Sequence, residues 1–99
     1  MEITKPEQKG FTVYSKSGCP NCMSVKHFIK DNKLFFTEIN CDEYIFENKG
    51  EFLTFIENIA GISYKTFPMV FYEEKFIGGL THTTDYINKI LLLSFEDNF

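Results

Sequence analysis

Short β-rich runs alternate along the chain with longer stretches whose apolar residues fall at helical spacing. Phe11-Thr12-Val13-Tyr14-Ser15 combines aromatic and β-branched residues and reads as a first strand. Gly18-Cys19-Pro20 breaks it, and a proline suits the first turn of a helix, where its missing N–H costs nothing. Cys22, Val25, Phe28 and Ile29 then recur at helical spacing, with Lys26 and Lys30 on the other side, until Asp31-Asn32. Leu34 to Ile39 reads as a second strand. Strand, helix and strand in that order form a βαβ unit, so the two strands are expected to be parallel neighbours.

Further on, Asp42 offers an N-cap to a long helix reaching Gly61, with Ile45, Phe52, Ile56 and Ile59 as its apolar stripe and Gly50 as its expected break. Met69–Tyr72 and Lys75–Ile77 flank Glu73-Glu74, a gap that fits only a hairpin turn. Gly78-Gly79 stops the fourth strand, and a last helix is expected over Thr84–Leu93, with Ile87, Ile90 and Leu91 on one face. The order β-α-β-α-β-β-α predicts one α/β domain around a four-stranded mixed sheet. Residues 1–9 are then an N-terminal arm, 10–93 the core and 94–99 a C-terminal tail.

Composition narrows the function classes. Ninety-nine residues lie near the lower limit for a single self-sufficient core, yet 43% hydrophobic content with twelve Phe supplies one and argues against disorder. All ten basic residues are Lys, against fourteen acids; the net charge of −4 argues against a nucleic-acid binder and leaves no arginine fork for phosphate. No run of eighteen apolar residues is present, so no membrane span is expected. The start, MEITKPEQKG, lacks the apolar stretch of a signal peptide, and a reducing, cytoplasmic location is expected.

Cys19 and Cys22 stand at i and i+3 across the start of the first expected helix, close enough to form a disulfide with little strain. At a helix N-terminus, unpaired N–H groups and the positive dipole end favour a thiolate, and Lys16 adds a cation. Each unit of pKa lowering is about 1.4 kcal/mol of preferential thiolate stabilisation. Cys22, one turn inside, is expected to be less exposed, giving one attacking and one resolving thiol. A structural zinc site needs four ligands, and Cys41, His27 and His82 are scattered singly, so no metal is expected and redox chemistry is preferred.

The segment Val13 to Cys22, containing Cys19-Pro20-Asn21-Cys22, resembles the active site of a dithiol glutaredoxin, of the thioredoxin-like fold. Thr66-Phe67-Pro68, Met69-Val70-Phe71 and Phe76-Ile77-Gly78-Gly79 resemble that family's glutathione-groove segments, in order and at similar spacing. The resemblance covers residues 10–93 and implies a glutathione-dependent thiol–disulfide oxidoreductase, glutathione being the co-substrate. It implies that Cys19 is the nucleophile and Cys22 the resolving thiol of a redox-active disulfide, with a cis-Pro68 loop against them. The Phe67 backbone would pair with the cysteinyl part of glutathione. Lys16 and Lys65 would meet its glycyl carboxylate and Thr81 its γ-glutamyl carboxylate, with Gly79 also in the glutathione site. A monomer acting on a disulfide-bearing client protein, such as ribonucleotide reductase, is the implied partnership.

Three positions depart from the family pattern. Asn21 stands where Tyr is common, Phe67 replaces Val and adds bulk beside the substrate, and His82 stands where an Asp would pair with the γ-glutamyl amine. Unless Asp85 substitutes from the next turn, weaker glutathione binding is expected. The departures keep two other readings open: a thioredoxin-like protein-disulfide reductant charged by a reductase, and a module binding a [2Fe–2S] cluster with glutathione. Cys41 is expected to be a structural or incidental thiol, and His27 a bystander.

Overall fold

The computed structural model describes residues 1–96, with side chains as far as Leu93. Its elements are β1 (Phe11–Ser15), α1 (Pro20–Asp31), β2 (Phe36–Asn40), α2 (Asp42–Ala60), β3 (Met69–Tyr72), β4 (Lys75–Gly78) and α3 (Leu80–Glu96). The strands lie in the order β2-β1-β3-β4. β1 runs parallel to β2, with Phe11 opposite Phe36, and antiparallel to β3, with Tyr14 opposite Met69. β4 returns antiparallel on β3. This mixed sheet with three helices is the thioredoxin-like arrangement that the resemblance implies.

β1 lies inside the sheet because both of its faces are apolar or small, and all five of its residues are buried. Phe11 and Val13 pack with Val25 and Ile29 of α1, Val70 of β3 and Ile87 of α3 on one face. Tyr14 joins Ile39, Phe52, Ile56, Met69 and Phe71 on the α2 face. Each such side chain stabilises the fold by about 1.5–3 kcal/mol relative to exposure. The expected arm at residues 1–9 is laid down on that second face. The Tyr14 hydroxyl donates to the Thr4 carbonyl at 2.7 Å, and Ile3 packs against the core. Burial raises the Tyr14 pKa above the usual phenol range.

Boundaries differ from expectation where backbone capping decides them. Leu34 is spent on closing α1: its N–H donates to the Ile29 carbonyl while Lys33, at φ 60°, donates to Lys30, so β2 starts only at Phe36. Cys41, not Asp42, is the N-cap of α2, and Asp42 is the first helical residue. The α2 break falls at Asn48 (φ −162°, ψ 87°), two residues before Gly50. There the Asn48 Oδ1 accepts the Glu51 N–H at 3.0 Å and starts the helix anew, which a glycine has no side chain to do. α3 begins four residues early, its first turn closed by the Thr83 N–H on the Gly79 carbonyl. It continues through 94–96, residues expected in a tail; the expected tail at 97–99 lies outside the described residues.

In the β3–β4 turn both Glu73 (φ 49°) and Glu74 (φ 72°) are left-handed, a conformation that favours Asn and Gly. Replacing the pair by Asn-Gly is expected to raise stability by about 1 kcal/mol in chemical denaturation. An unchanged or lower midpoint would contradict that assignment of strain.

Candidate active site

The turn from β1 into α1 presents the cysteine pair. Gly18 takes a left-handed φ of 66°, which lets the chain reverse within three residues of β1. Cys19 follows as the N-cap of α1, with Pro20 at the first helical positions. Cys19 and Cys22 are joined by a disulfide, their Cα atoms 5.3 Å apart. The Cys22 N–H donates to Cys19 Sγ at 3.1 Å, so a helix-terminal N–H faces that sulfur, a setting that favours the anionic form of a thiol. Cys19 is 9% exposed and Cys22 1%, which leaves Cys19 as the approachable sulfur.

The loop before Cys19 is fastened from behind. The Ser17 hydroxyl and its N–H, the latter at 2.9 Å, both donate to the Asp42 carboxylate at the start of α2. Those two hydrogen bonds hold the Asp42 carboxyl below its usual range. The carboxylate expected to cap α2 is thus turned toward the active-site loop.

Two recesses involve the first turn of α1, and Cys19 and Cys22 line the first of them. One, of about 490 Å³, faces β2 and is bordered by Lys16, Met23, Lys26 and Glu38. Lys26 Nζ and the Ser15 hydroxyl each lie 2.6 Å from Glu38 Oε2, which holds the Glu38 carboxyl low. The other is a groove of about 400 Å³ between α1 and the start of α3. Thr66, Phe67 and Pro68 form one wall and Gly79, Leu80 and Thr81 the opposite wall; Asn21, Tyr64 and His82 complete it. The Phe67–Pro68 peptide bond is cis.

The structure therefore brings Asn21, Phe67, Pro68, Gly79 and Thr81 together in one groove. Lys16 stands at its edge, with Nζ 5.6 Å from the centroid of the Phe67 ring. The bulk expected beside the substrate is partly absorbed by the core, since the Phe67 ring lies near-parallel to Phe52 at 5.9 Å. Lys65 is exposed and stands outside the groove lining. Asp85 borders a separate depression with Lys75, Tyr86 and Lys89, and His82 lies between that depression and the groove. Cys41 is fully buried; its thiol donates to the Ile39 carbonyl at 3.5 Å, and burial pushes its pKa up to about 12. Among the described residues, no three His, Cys, Asp or Glu side chains gather as metal ligands.

Tyr64 is a groove residue that the motifs alone do not point to. Its ring packs edge-on against Phe76, 4.9 Å between centroids, and its hydroxyl stands over the Cα of Gly79. The alternation 64, 66, 68 leading into β3 is the signal that could have placed it beside Thr66 and Pro68.

The glutaredoxin family model matches residues 11–77, which include the cysteine pair, the cis-proline loop and most of β4. The chain belongs to the glutaredoxin family. Glutaredoxin 1 from Francisella tularensis, solved in complex with cacodylate, is 26% identical, with a TM-score of 0.71 over 82% of this chain and 94% of that one. Wheat glutaredoxin is 31% identical, with a TM-score of 0.67 over 88% of this chain and 80% of that one. The glutaredoxin-like protein NrdH of Lactococcus lactis subsp. cremoris is 30% identical over 59 residues, 60% of this chain and 71% of that protein. As a glutaredoxin with a Cys-x-x-Cys pair, the chain has the thiol–disulfide oxidoreductase fold and redox centre of its family.

Proposed function

We propose that this glutaredoxin is a glutathione-dependent reductase of protein disulfides and of protein–glutathione mixed disulfides. The observation that carries the proposal is Cys19 Sγ at the N-terminus of α1, the helix whose Asn21 lines a groove walled by the cis-proline loop and the first turn of α3. The groove fits an extended thiol peptide. The walls supply backbone groups and neutral hydroxyls, the α3 N-terminus an anion-favouring end, and Lys16 a cation at the rim.

The Cys19 thiolate attacks the glutathione sulfur of a mixed disulfide. The old S–S bond breaks, the client thiolate leaves and takes up a proton, and Cys19 carries the glutathione. Attack on that bond by a second glutathione thiolate regenerates Cys19 and releases glutathione disulfide. With a protein disulfide as substrate, Cys22 attacks the Cys19–client bond instead, and two electrons pass from the dithiol to the client. A potential of about −200 to −230 mV, typical of the family, places the couple within reach of the glutathione pool. Ribonucleotide reductase is a client of the chemical kind this cycle serves.

The absence of an acid from the groove lining, among the described residues, favours a second reading, a thioredoxin-like reductant charged by a reductase. One comparison separates the two. Glutathione with glutathione reductase is expected to reduce the oxidised protein, and thioredoxin reductase is not; the reverse result establishes the second reading. Lys16→Glu and Thr81→Val are each expected to raise the glutathione KM by about fivefold with kcat little changed. Unchanged KM in both variants would refute the groove assignment.

A further inference from the structure

The two recesses at the first turn of α1 differ in what they offer a polypeptide. Cys19 and Cys22 both line the recess facing β2, and neither is in the lining of the cis-proline groove. That recess does not end at the cysteines. Met23 and Lys26 also line a further depression of about 210 Å³, which reaches Lys30 on α1 and Phe36 on β2. Sharing these two residues, the recess and the depression form one furrow along the seam between α1 and β2, an edge strand of the sheet.

Lys16, Lys26 and Lys30 stand along the furrow, and Glu38 is its single acid among the described residues. That carboxylate is already engaged by Lys26 and the Ser15 hydroxyl, while neither Lys16 nor Lys30 is in an ion pair among the described residues. Lys16 also feels the Asp42 carboxylate, whereas Lys30 stands at the far end, away from the active-site loop. Between the two cations the surface is apolar: Met23 is 59% exposed, and Phe36 is half-buried beside it. In a chain of net charge −4, this basic and apolar seam runs against the overall balance and complements an acidic partner.

We propose that this furrow docks the disulfide-bearing segment of the client protein, an extended stretch with an apolar residue near its cysteine and acids beyond it. The length is set by α1. Cys19 and Lys30 are about 16 Å apart along the helix at about 1.5 Å per residue, the reach of about five extended residues. A client cysteine at Cys19 then lays an apolar side chain over Met23 and Phe36 and brings a carboxylate to Lys30. The flexible Met23 thioether suits apolar side chains of differing shape. Cys22 lines the same recess as Cys19, so attack on the client and resolution of the mixed disulfide take place at one end of the furrow. This inference rests on the protein-disulfide half of the reading above, and adds where the client lies and what it carries.

The test is single-turnover oxidation of the reduced protein by peptides that carry an internal disulfide and an extension with a central leucine. The extension ends in aspartates in one peptide and in lysines in the other. The Cys19 thiolate attacks one peptide sulfur and breaks the peptide S–S bond. Cys22 then attacks the Cys19–peptide bond, the Cys19–Cys22 disulfide forms, and the peptide leaves as a dithiol with two electrons and two protons. At low salt the acidic peptide is expected to react about tenfold faster than the basic one, and the ratio to shrink in about 0.5 M salt. Lys30→Glu is expected to cut that ratio by about fivefold, with its rate on cysteine–glutathione mixed disulfide within about twofold of wild type. Lys49→Glu, the same change of net charge on α2, is expected to leave the ratio unchanged. Met23→Ser is expected to slow the leucine peptides by about threefold and to spare a glycine-bearing counterpart. Equal rates for both peptides, or a ratio that Lys30→Glu leaves unchanged or Lys49→Glu lowers as much, would overturn the furrow and leave the glutathione activity standing. A parallel loss on peptides and mixed disulfide in Lys30→Glu would also overturn it, since the residue would then serve the chemistry or the fold. No reduction of any substrate by the wild-type protein, the mixed disulfide included, would sink the proposed function itself.

Discussion

Cys19→Ser is expected to abolish reduction of both protein disulfides and glutathione mixed disulfides, by about a thousandfold or more, whereas Cys22→Ser retains the second activity and loses the first. The reason is geometric. Cys19 holds the N-cap of α1, takes the Cys22 N–H on its sulfur and is the more exposed of the pair, while Cys22 is buried one turn inside. On the proposed cycle Cys19 is the sulfur that reaches a client, and Cys22 is needed only when no second glutathione resolves the intermediate. Cys41 cannot substitute, because it is fully buried with its pKa pushed up to about 12. Iodoacetamide alkylation of reduced Cys22→Ser against pH provides a direct check. One fast site should titrate well below the ordinary thiol value of about 8.5. A midpoint at or above that value would mean that the helix end and Lys16 do not activate Cys19. Equal losses of both activities in Cys22→Ser would remove the division of labour.

What is legible in the sequence follows from how local each determinant is. The element order, the parallel pairing of β1 with β2 and the place of Cys19 at a helix start depend on alternation, helical spacing and one proline, all readable within a few residues. The positions that mislead are those where a side chain or carbonyl is claimed by a distant or competing partner. Asp42 looks like a cap, but Ser17, twenty-five positions away, takes its carboxylate. Gly50 looks like the helix break, but a break needs a new cap as much as a weak point, and Asn48 supplies one. At the site, it is the resemblance of the segments around Pro68 and Gly79 to the family's groove that anticipates Phe67, Pro68, Gly79 and Thr81 in a single groove. Whether Asp85 turns into that groove depends on where His82 seats against Gly78, and no sequence pattern encodes that packing. For Tyr64 the alternation 64, 66, 68 is the only hint, because its place over the groove is set by Phe76 and by the empty side of Gly79.

Gly79→Ala is expected to destabilise the fold by about 1–3 kcal/mol, and Tyr64→Phe to remove most of that cost. The backbone of Gly79 does not carry the left-handed φ that Gly78 does, so alanine is conformationally allowed there. The obstacle is steric and has one main source. A Cβ on Gly79 would lie 2.6 Å from Tyr64 Oη, while the next atoms, the Pro68 carbonyl oxygen and Tyr64 Cζ, are at ordinary contact distances of 3.6 and 3.9 Å. Phe76 packed against the Tyr64 ring keeps the phenol from swinging aside. Deleting the hydroxyl opens the space that the methyl needs and leaves the ring on Phe76. In a chain of this size the single variant should melt about 4–8 °C lower for each kcal/mol lost, with the double variant close to Tyr64→Phe alone. Gly78→Ala behaves differently, since its φ of 135° is strained for any side chain and His82 closes on it at 2.8 Å; trimming His82 alone should not restore it. Equal costs of Gly79→Ala in the wild-type and Tyr64→Phe backgrounds would show that the glycine answers to something other than the phenol. A full recovery would identify Gly79 as the residue that lets Tyr64 form part of the groove, between the cis-proline loop and the first turn of α3.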